Sequence, residues 1–234
     1  MPASERGTER PNSDGATLSE RAATLVEQDI LAGHLAPGAR LGIVDLAQRY
    51  EIGATPLREG LSRLVSRGLI VGIGQRGFRV ADVSRNDLSD ITCMRTAVEK
   101  EAVRLAIING DDSWEAGIVS ALHQIRRHIE RTGNEFREGA ADFDRLHKSF
   151  HTALLAACGS RRMLRAHSDL YDQAYRYRRL MMREIDSGEG FIRSHQVLAD
   201  RVLARDVPGA QKMLEEHLRT TINFVYPPGA GSDQ

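Results

Sequence analysis

The sequence predicts a mainly α protein: an N-terminal winged helix-turn-helix with a small β-hairpin wing, then an all-α helical bundle. Three observations predict it. Within about fifty residues from Leu18, two helical patterns enclose a shorter one, with tight turns between them. A Gly-rich stretch with β-branched and aromatic flanks follows. From Ser84 onward the apolar spacing is helical throughout.

The elements follow in order. Residues 1–17 are polar and rich in Gly, Pro, Ser and Asp, the composition of a disordered tail. Over Leu18–Leu31, Ala22, Leu25, Val26 and Ile30 recur at helical spacing. Pro37-Gly38 marks a turn inside L-A-P-G-A-R-L, and Val44–Tyr50 reads as a short helix burying Leu46, Ala47 and Tyr50. The third helix spans Ala54–Leu69, with Thr55 as N-cap and Pro56 at its first position, where a missing N–H costs nothing. Leu57, Leu61, Leu64, Val65 and Gly68 form its apolar side. Arg58, Ser62, Arg63, Ser66 and Arg67 form the other, with Glu59 as its one acid. Leu69–Ile73 and Phe78–Val83 then flank a turn as a hairpin carrying Gln75, Arg76 and Arg79. Gly72, Gly74 and Gly77 spell GxGxxG, but a dinucleotide turn must open a helix and Phe78-Arg79-Val80 continues as strand.

Ser84 with Asp87 reads as a capping box opening Asp87–Asn109. Further helices are expected over Trp114–Arg131, Asp142–Cys158, Arg161–Glu184, Phe191–Arg205 and Pro208–Asn223, with a mobile loop at Asp186–Gly190. The expected division is a tail at 1–17, a head at 18–83, a bundle at 84–225 and a second tail at 226–234.

Thirty-two basic and 32 acidic residues balance, so overall charge does not point to nucleic acid; the distribution does. Ala54–Val80 holds Arg58, Arg63, Arg67, Arg76 and Arg79 against Glu59 alone, a basic patch on a neutral chain. No apolar run approaches the roughly 18 residues of a membrane span, and the first ten residues lack the apolar core of a signal peptide. Cys93 and Cys158, far apart in helical patterns, read as small core residues in a reducing cytoplasm, where the protein is expected.

The bundle places polar groups where apolar ones belong. His147 and His151, four apart, share a face with Phe150 and Leu154; His195 sits with Phe191, Leu198 and Val202, and His217 with Ala210, Met213 and Leu214. One inward histidine is ordinarily a hydrogen-bonded core residue. Four on three helices are costly to bury unless something organises them, so a shared divalent transition-metal site is expected. An all-imidazole shell suits zinc first, with nickel, iron or copper as alternatives. His34, His123, His128 and His167 lack such company and read as surface or structural. Arg95 interrupts an apolar stripe with a permanent charge: either a buried ion pair with Glu99 one turn on, or a bidentate clamp for a carboxylate. Arg178, on a row with Tyr171, Tyr175 and Met182, is similar, and Arg95, Tyr175 and Arg178 are taken as the ligand-binding set. Catalysis finds no motif, since HExxH needs Glu after the first His and Lys148 follows His147. A metal-dependent enzyme acting on a small carboxylate is the competing class, and an architectural DNA binder with an inert bundle a third.

L-A-P-G-A-R-L, D-L-A-Q-R-Y-E-I-G-A-T-P-L-R-E-G-L-S-R-L-V-S-R-G-L-I and Q-R-G-F-R-V resemble the winged-helix head of the GntR family. F-H-x-A-L-x-x-A-x-G at Phe150–Gly159, with His195 and His217 on the last two helices, resembles the FCD ligand-sensing domain of its FadR-type subfamily. The resemblance implies a homodimeric, metabolite-responsive transcription factor, most often the repressor of a nearby catabolic operon, bound to a near-palindromic double-stranded operator. It implies that Thr55 holds phosphate, that Arg58 and Ser62 read bases with Arg63 beside them, and that Gln75, Arg76 and Arg79 approach the minor groove or backbone. Many members hold a divalent metal with three His and an Asp, the Asp four residues before the first His. His147 stands in that place here, so the carried-over set is His147, His151, His195 and His217. Gly53 and Ala54 replace Ser and Arg of the common S-R-T-P-V-R pattern, while Arg58 is kept. H-K-S-F-H, A-A-C-G-S, Y-D-Q and R-Y-R-R look like the branch related to the carbon-starvation-induced regulator, which senses a short dicarboxylate; a small carboxylate or dicarboxylate effector is therefore implied.

Overall fold

The computed structural model describes residues 16–133, 140–181 and 188–226. The tails at 1–15 and 227–234, residues 134–139 and 182–187, and the side chains at 75, 141 and 179–181 lie outside that description, and with them parts of the expected tails, Met182, the end of the Arg161–Glu184 helix and the first part of the Asp186–Gly190 loop.

The head runs α1 (Leu18–Leu31), β1 (Arg40–Leu41), α2 (Ile43–Tyr50), α3 (Ala54–Ser66), β2 (Ile70–Gly72), a 3-10 turn (Gly74–Arg76) and β3 (Phe78–Val80). α1 starts on a full capping box: the Thr17 hydroxyl accepts from Glu20 N at 3.2 Å, and the Glu20 carboxylate accepts from Thr17 N at 2.9 Å. Thr17 is thus the cap of the first helix and not the end of a tail. α3 begins at Ala54 with Gly53 as its N-cap, because the Gly53 carbonyl already takes Leu57 N at 3.1 Å. Thr55 therefore sits inside the first turn, and Pro56, still among the residues with no intrahelical N–H bond, costs nothing there.

The sheet has three strands in the order β1-β3-β2, all antiparallel, with Arg40 opposite Arg79 and Ile70 opposite Val80. β1 is absent from the sequence expectation, since two residues are too few to show alternation. Gly38, at φ +75°, turns the chain so that Val80 N can donate to the Ala39 carbonyl at 2.9 Å. The head core gathers Ala22, Val26, Leu57, Leu61, Leu64 and Leu69, all fully buried. Val65, read as part of the apolar side, is 37% exposed because α1 covers only the Leu57–Gly60–Leu61–Leu64 stripe.

The bundle comprises α4 (Arg85–Asn109), α5 (Asp112–Thr132), α6 (Ala141–Leu155) with a 3-10 turn to Cys158, α7 (Arg161–Met181), α8 (Gly188–Leu203) and α9 (Val207–Val225). Gly188–Gly190, expected in a loop, form the first turn of α8. The Ser84–Asp87 box is half made: Ser84 Oγ accepts from Asp87 N at 3.1 Å, but Ser84 N donates to the Tyr177 hydroxyl, which in turn donates to Asp87. A tertiary partner has replaced the local one. Trp114, Ile118, Ile125, Phe143, Phe150, Leu198, Val202 and Leu214 fill the core between the helices. Cys158 joins them, whereas Cys93, expected in the core, lies exposed on α4. Among the described residues no helix is long and apolar enough to cross a membrane.

α1 and α3 meet at Gly60, where a Cβ would stand 2.8 Å from both Ala23 N and the Ser19 carbonyl. Gly60→Ala gains about 1 kcal/mol of helix propensity, but it forces a methyl into two backbones that cannot yield, at about 1–3 kcal/mol. The expected outcome is a net loss of head stability of up to about 2 kcal/mol by denaturant unfolding.

Candidate metal centre and DNA-contacting face

α6 presents His147 and His151 one turn apart, α8 presents His195, and α9 presents His217. Their Nε2 atoms converge: His147 lies 2.8 Å from His195 and 3.0 Å from His151, and His151 lies 3.3 Å from His217. Four ligand nitrogens, one per ring, stand within 4.8 Å of one another. Nitrogens at about 2.0–2.1 Å from a zinc ion would be about 3.3–3.4 Å apart in a tetrahedron and about 2.9 Å apart along an octahedral edge, so the three neighbouring pairs match the shell of one cation and the group is one able to hold it. His147, His151 and His195 are buried and His217 partly so.

The electrostatics suit the same role. His195 Nδ1 donates to the Phe191 carbonyl at 2.7 Å, which fixes the tautomer and leaves the Nε2 lone pair facing the cluster. Burial depresses the basicity of all four rings; it holds His195 at about 4 and pushes His147, His151 and His217 well below the ordinary histidine value. The Arg178 guanidinium deepens the effect on His147, and the neighbouring imidazoles deepen it on His151. Neutral imidazoles are the form that ligates a metal. One contact works against it. Arg178 Nη1 lies 3.2 Å from Nδ1 of His147, and a neutral ring ligating through Nε2 carries its proton on Nδ1, so two donors would then face each other.

Arg95 realises the ion-pair alternative: Nε meets Glu99 Oε1 at 2.8 Å, both residues buried on α4. His167 from α7, fully buried, reaches the same oxygen at 3.0 Å. Burial opposes charge on Glu99, but Arg95 and His167 outweigh it and hold the carboxyl below its usual range. The terminal nitrogens of Arg95 have no hydrogen-bond partner among the described residues. Its guanidinium lies 5.2 Å over the Tyr171 ring, and that of Arg178 lies 4.9 Å from it and 5.6 Å from Tyr175. Tyr171, 6.0 Å from His147 and 5.9 Å from His151 by ring centroids, keeps its hydroxyl buried beside the Arg178 guanidinium. Sequence reasoning left Tyr171 out of the ligand set although it shares the row of Tyr175 and Arg178. The Glu99–His167 contact carried no signal, because the two stand on different helices.

On the head, Thr55, Arg58, Ser62 and Arg63 are exposed along α3, and Arg76 is exposed at the hairpin tip. Ser62 Oγ donates to the Arg58 carbonyl at 2.9 Å; Arg63 faces Glu20 at 3.3 Å, and Arg79 faces Asp82 at 2.9 Å. Arg40, opposite Arg79 in the sheet, is an exposed cation that the missing β1 concealed. Arg67 does not belong to this face. As the C-cap of α3 it turns toward the bundle, where Glu27, Asp169 and Asp172 all bond its guanidinium.

A basic helix and wing joined to a chamber of imidazole and guanidinium groups define a DNA-binding regulator with a built-in sensor module. The comparisons agree. Residues 18–80 match the bacterial regulatory proteins of the gntR family and residues 90–220 match the FCD domain. The chain belongs to the GntR family, as a transcriptional regulator with a C-terminal FCD domain and not an enzyme. It is 36% identical to the uncharacterized HTH-type transcriptional regulator BphR of Paraburkholderia xenovorans, over 92% of this chain and 88% of that one. It is 35% identical to the HTH-type transcriptional repressor GlaR of Escherichia coli, over 88% and 95%. Escherichia coli McbR/YncC shares the fold at a TM-score of 0.73 and 23% identity, over 90% and 98% of the two chains.

Metal titration of chelator-stripped protein, followed by calorimetry, is expected to show one zinc ion per chain. His195→Ala is expected to weaken binding by more than the roughly 10–100-fold that loss of a supporting hydrogen bond costs such a site.

Proposed function

We propose that the protein is a repressor that sits as a homodimer on a near-palindromic operator in the cytoplasm and is released by a small carboxylate or dicarboxylate. That effector binds beside a divalent metal, zinc first and nickel or iron as alternatives, on His147, His151, His195 and His217. The observation that carries this reading is the convergence of four imidazole nitrogens at separations of 2.8–3.3 Å between neighbours, beneath a wall of guanidinium groups. The short separations favour a shell with room for an outside oxygen ligand. Arg95, with its terminal nitrogens uncommitted, and the hydroxyls of Tyr171 and Tyr175 complete the clamp. The name of GlaR as a repressor supports the sign of regulation.

On DNA, α3 lies in the major groove with Arg58 and Ser62 toward base edges, Thr55 and Arg63 toward phosphates, and Gln75, Arg76 and Arg79 along the minor groove or backbone. The effector releases the operator by binding one geometry of the bundle better than the other.

Arg58→Ala is expected to weaken specific operator binding by about 1–3 kcal/mol while leaving binding to random DNA nearly unchanged. A mobility shift on the promoter of the protein's own gene, with a panel of short dicarboxylates and hydroxy acids, tests the whole. Zinc-loaded protein is expected to release the promoter with one of them, and stripped protein is not. Retention against every acid in both states overturns the reading.

A further inference from the structure

α7 faces two ways. Along one side, at helical spacing, Asp169, Asp172, Gln173, Arg176 and Tyr177 meet the head and its exit. Along the opposite side, His167, Tyr171, Tyr175 and Arg178 line the histidine chamber. Asp172 is where the two sides connect. Lys148, the residue after His147 on α6, places Nζ 2.7 Å from both Asp172 oxygens and 5.8 Å from the centre of the Tyr171 ring. Asp172 Oδ2 also accepts from Arg67 Nη2 at 2.8 Å, and Arg67 continues to Asp169 at 2.8 Å and to Glu27 on α1.

Arg67 is held by its backbone as well. Its carbonyl takes Gln173 Nε2 at 2.8 Å, and at Gly68 beside it, with φ +71°, a Cβ would stand 2.8 Å from that same nitrogen and displace the amide from its bond. The Asp172 carboxylate is 4% exposed and the Arg67 guanidinium side chain 22%. These are not solvated surface pairs of little consequence, for removing one partner strands a buried charge. The other contacts of α7 with the head's exit, Arg176 to the Ala81 carbonyl and Tyr177 to Ser84, touch no chamber residue.

We propose that the bridge Lys148–Asp172–Arg67–Glu27 is the connection by which the state of the histidine chamber reaches the DNA-binding head. The proposal rests on the reading of that chamber as a metal site. Lys148 and Asp172 are each one residue from a chamber wall, at His147 and Tyr171, so a change in either wall's pose moves one end of the bridge. The head, tied at Arg67 through side chain and backbone, follows or loses a buried ion pair.

Amide exchange on the full-length protein, stripped of metal and then loaded with Zn²⁺ alone, tests it. In the unaltered protein Zn²⁺ is expected to slow exchange in α6, α8 and α9 and also in α3 and β2 of the head, the latter by about fivefold or more, the lower end of ordinary coupling between sites. In Arg67→Gln the slowing is expected to be confined to the bundle. Lys148→Met is expected to give the same pattern and serves if Arg67→Gln does not fold. Slowing confined to the bundle in the unaltered protein, or a head that slows equally in both variants, overturns the bridge and leaves the metal site standing. No slowing anywhere overturns both.

Discussion

Three helices are fixed in place by one awkward requirement: four neutral imidazoles must share a volume from which water is largely excluded. Nitrogen lone pairs facing one another at 2.8–3.3 Å repel unless a cation or protons lie between them. Burial keeps every ring neutral, with a single N–H each, and His195 commits its own to the Phe191 carbonyl. α6, α8 and α9 are therefore tied to one another through what lies between those nitrogens, a remaining N–H or a cation. A bundle closed by Leu or Phe at these positions would be better packed and deaf to its contents.

The same chamber explains where the buried charges went. Arg95, Glu99 and His167 form a chain of opposite charge and hydrogen bond behind the rings, so the positive field at the centre is partly cancelled before any ligand arrives. Arg178 and the uncommitted end of Arg95 supply what remains, over a tyrosine ring that both guanidinium groups contact. An anion entering there meets cations whose solvation was given up on folding, the condition under which a charge-assisted hydrogen bond contributes most.

Much of this was legible in the residues. The head could be read because its apolar spacing and turn dipeptides are local signals, and His147 with His151 because i, i+4 on a helix is a local spacing. His195 and His217 could be read only as anomalies of their own stripes; that all four meet is a tertiary fact. What stayed hidden was tertiary too. β1 is two residues held by Val80. Tyr177 replaced the carboxylate expected to close the Ser84 box. Arg67 looked like a DNA-facing arginine because its carboxylate partners lie on α1 and, about a hundred residues away, on α7.

Losing Arg67 from the DNA face changes how a neutral chain grips a polyanion. Of the five arginines between Ala54 and Val80, Arg63, Arg67 and Arg79 have acidic partners, and only Arg58 and Arg76 have none among the described residues. Each neutralised phosphate contributes about −0.9 to the slope of log affinity against log salt. Arg63 and Arg79 are held only by exposed, solvent-screened pairs, whereas three carboxylates hold Arg67, so the charge withdrawn from this face is one unit, about 0.9 of that slope. The same arginine ties the end of α3 to α1 and α7, so a cation that the sequence places beside the reading surface serves instead to hold the head against the bundle.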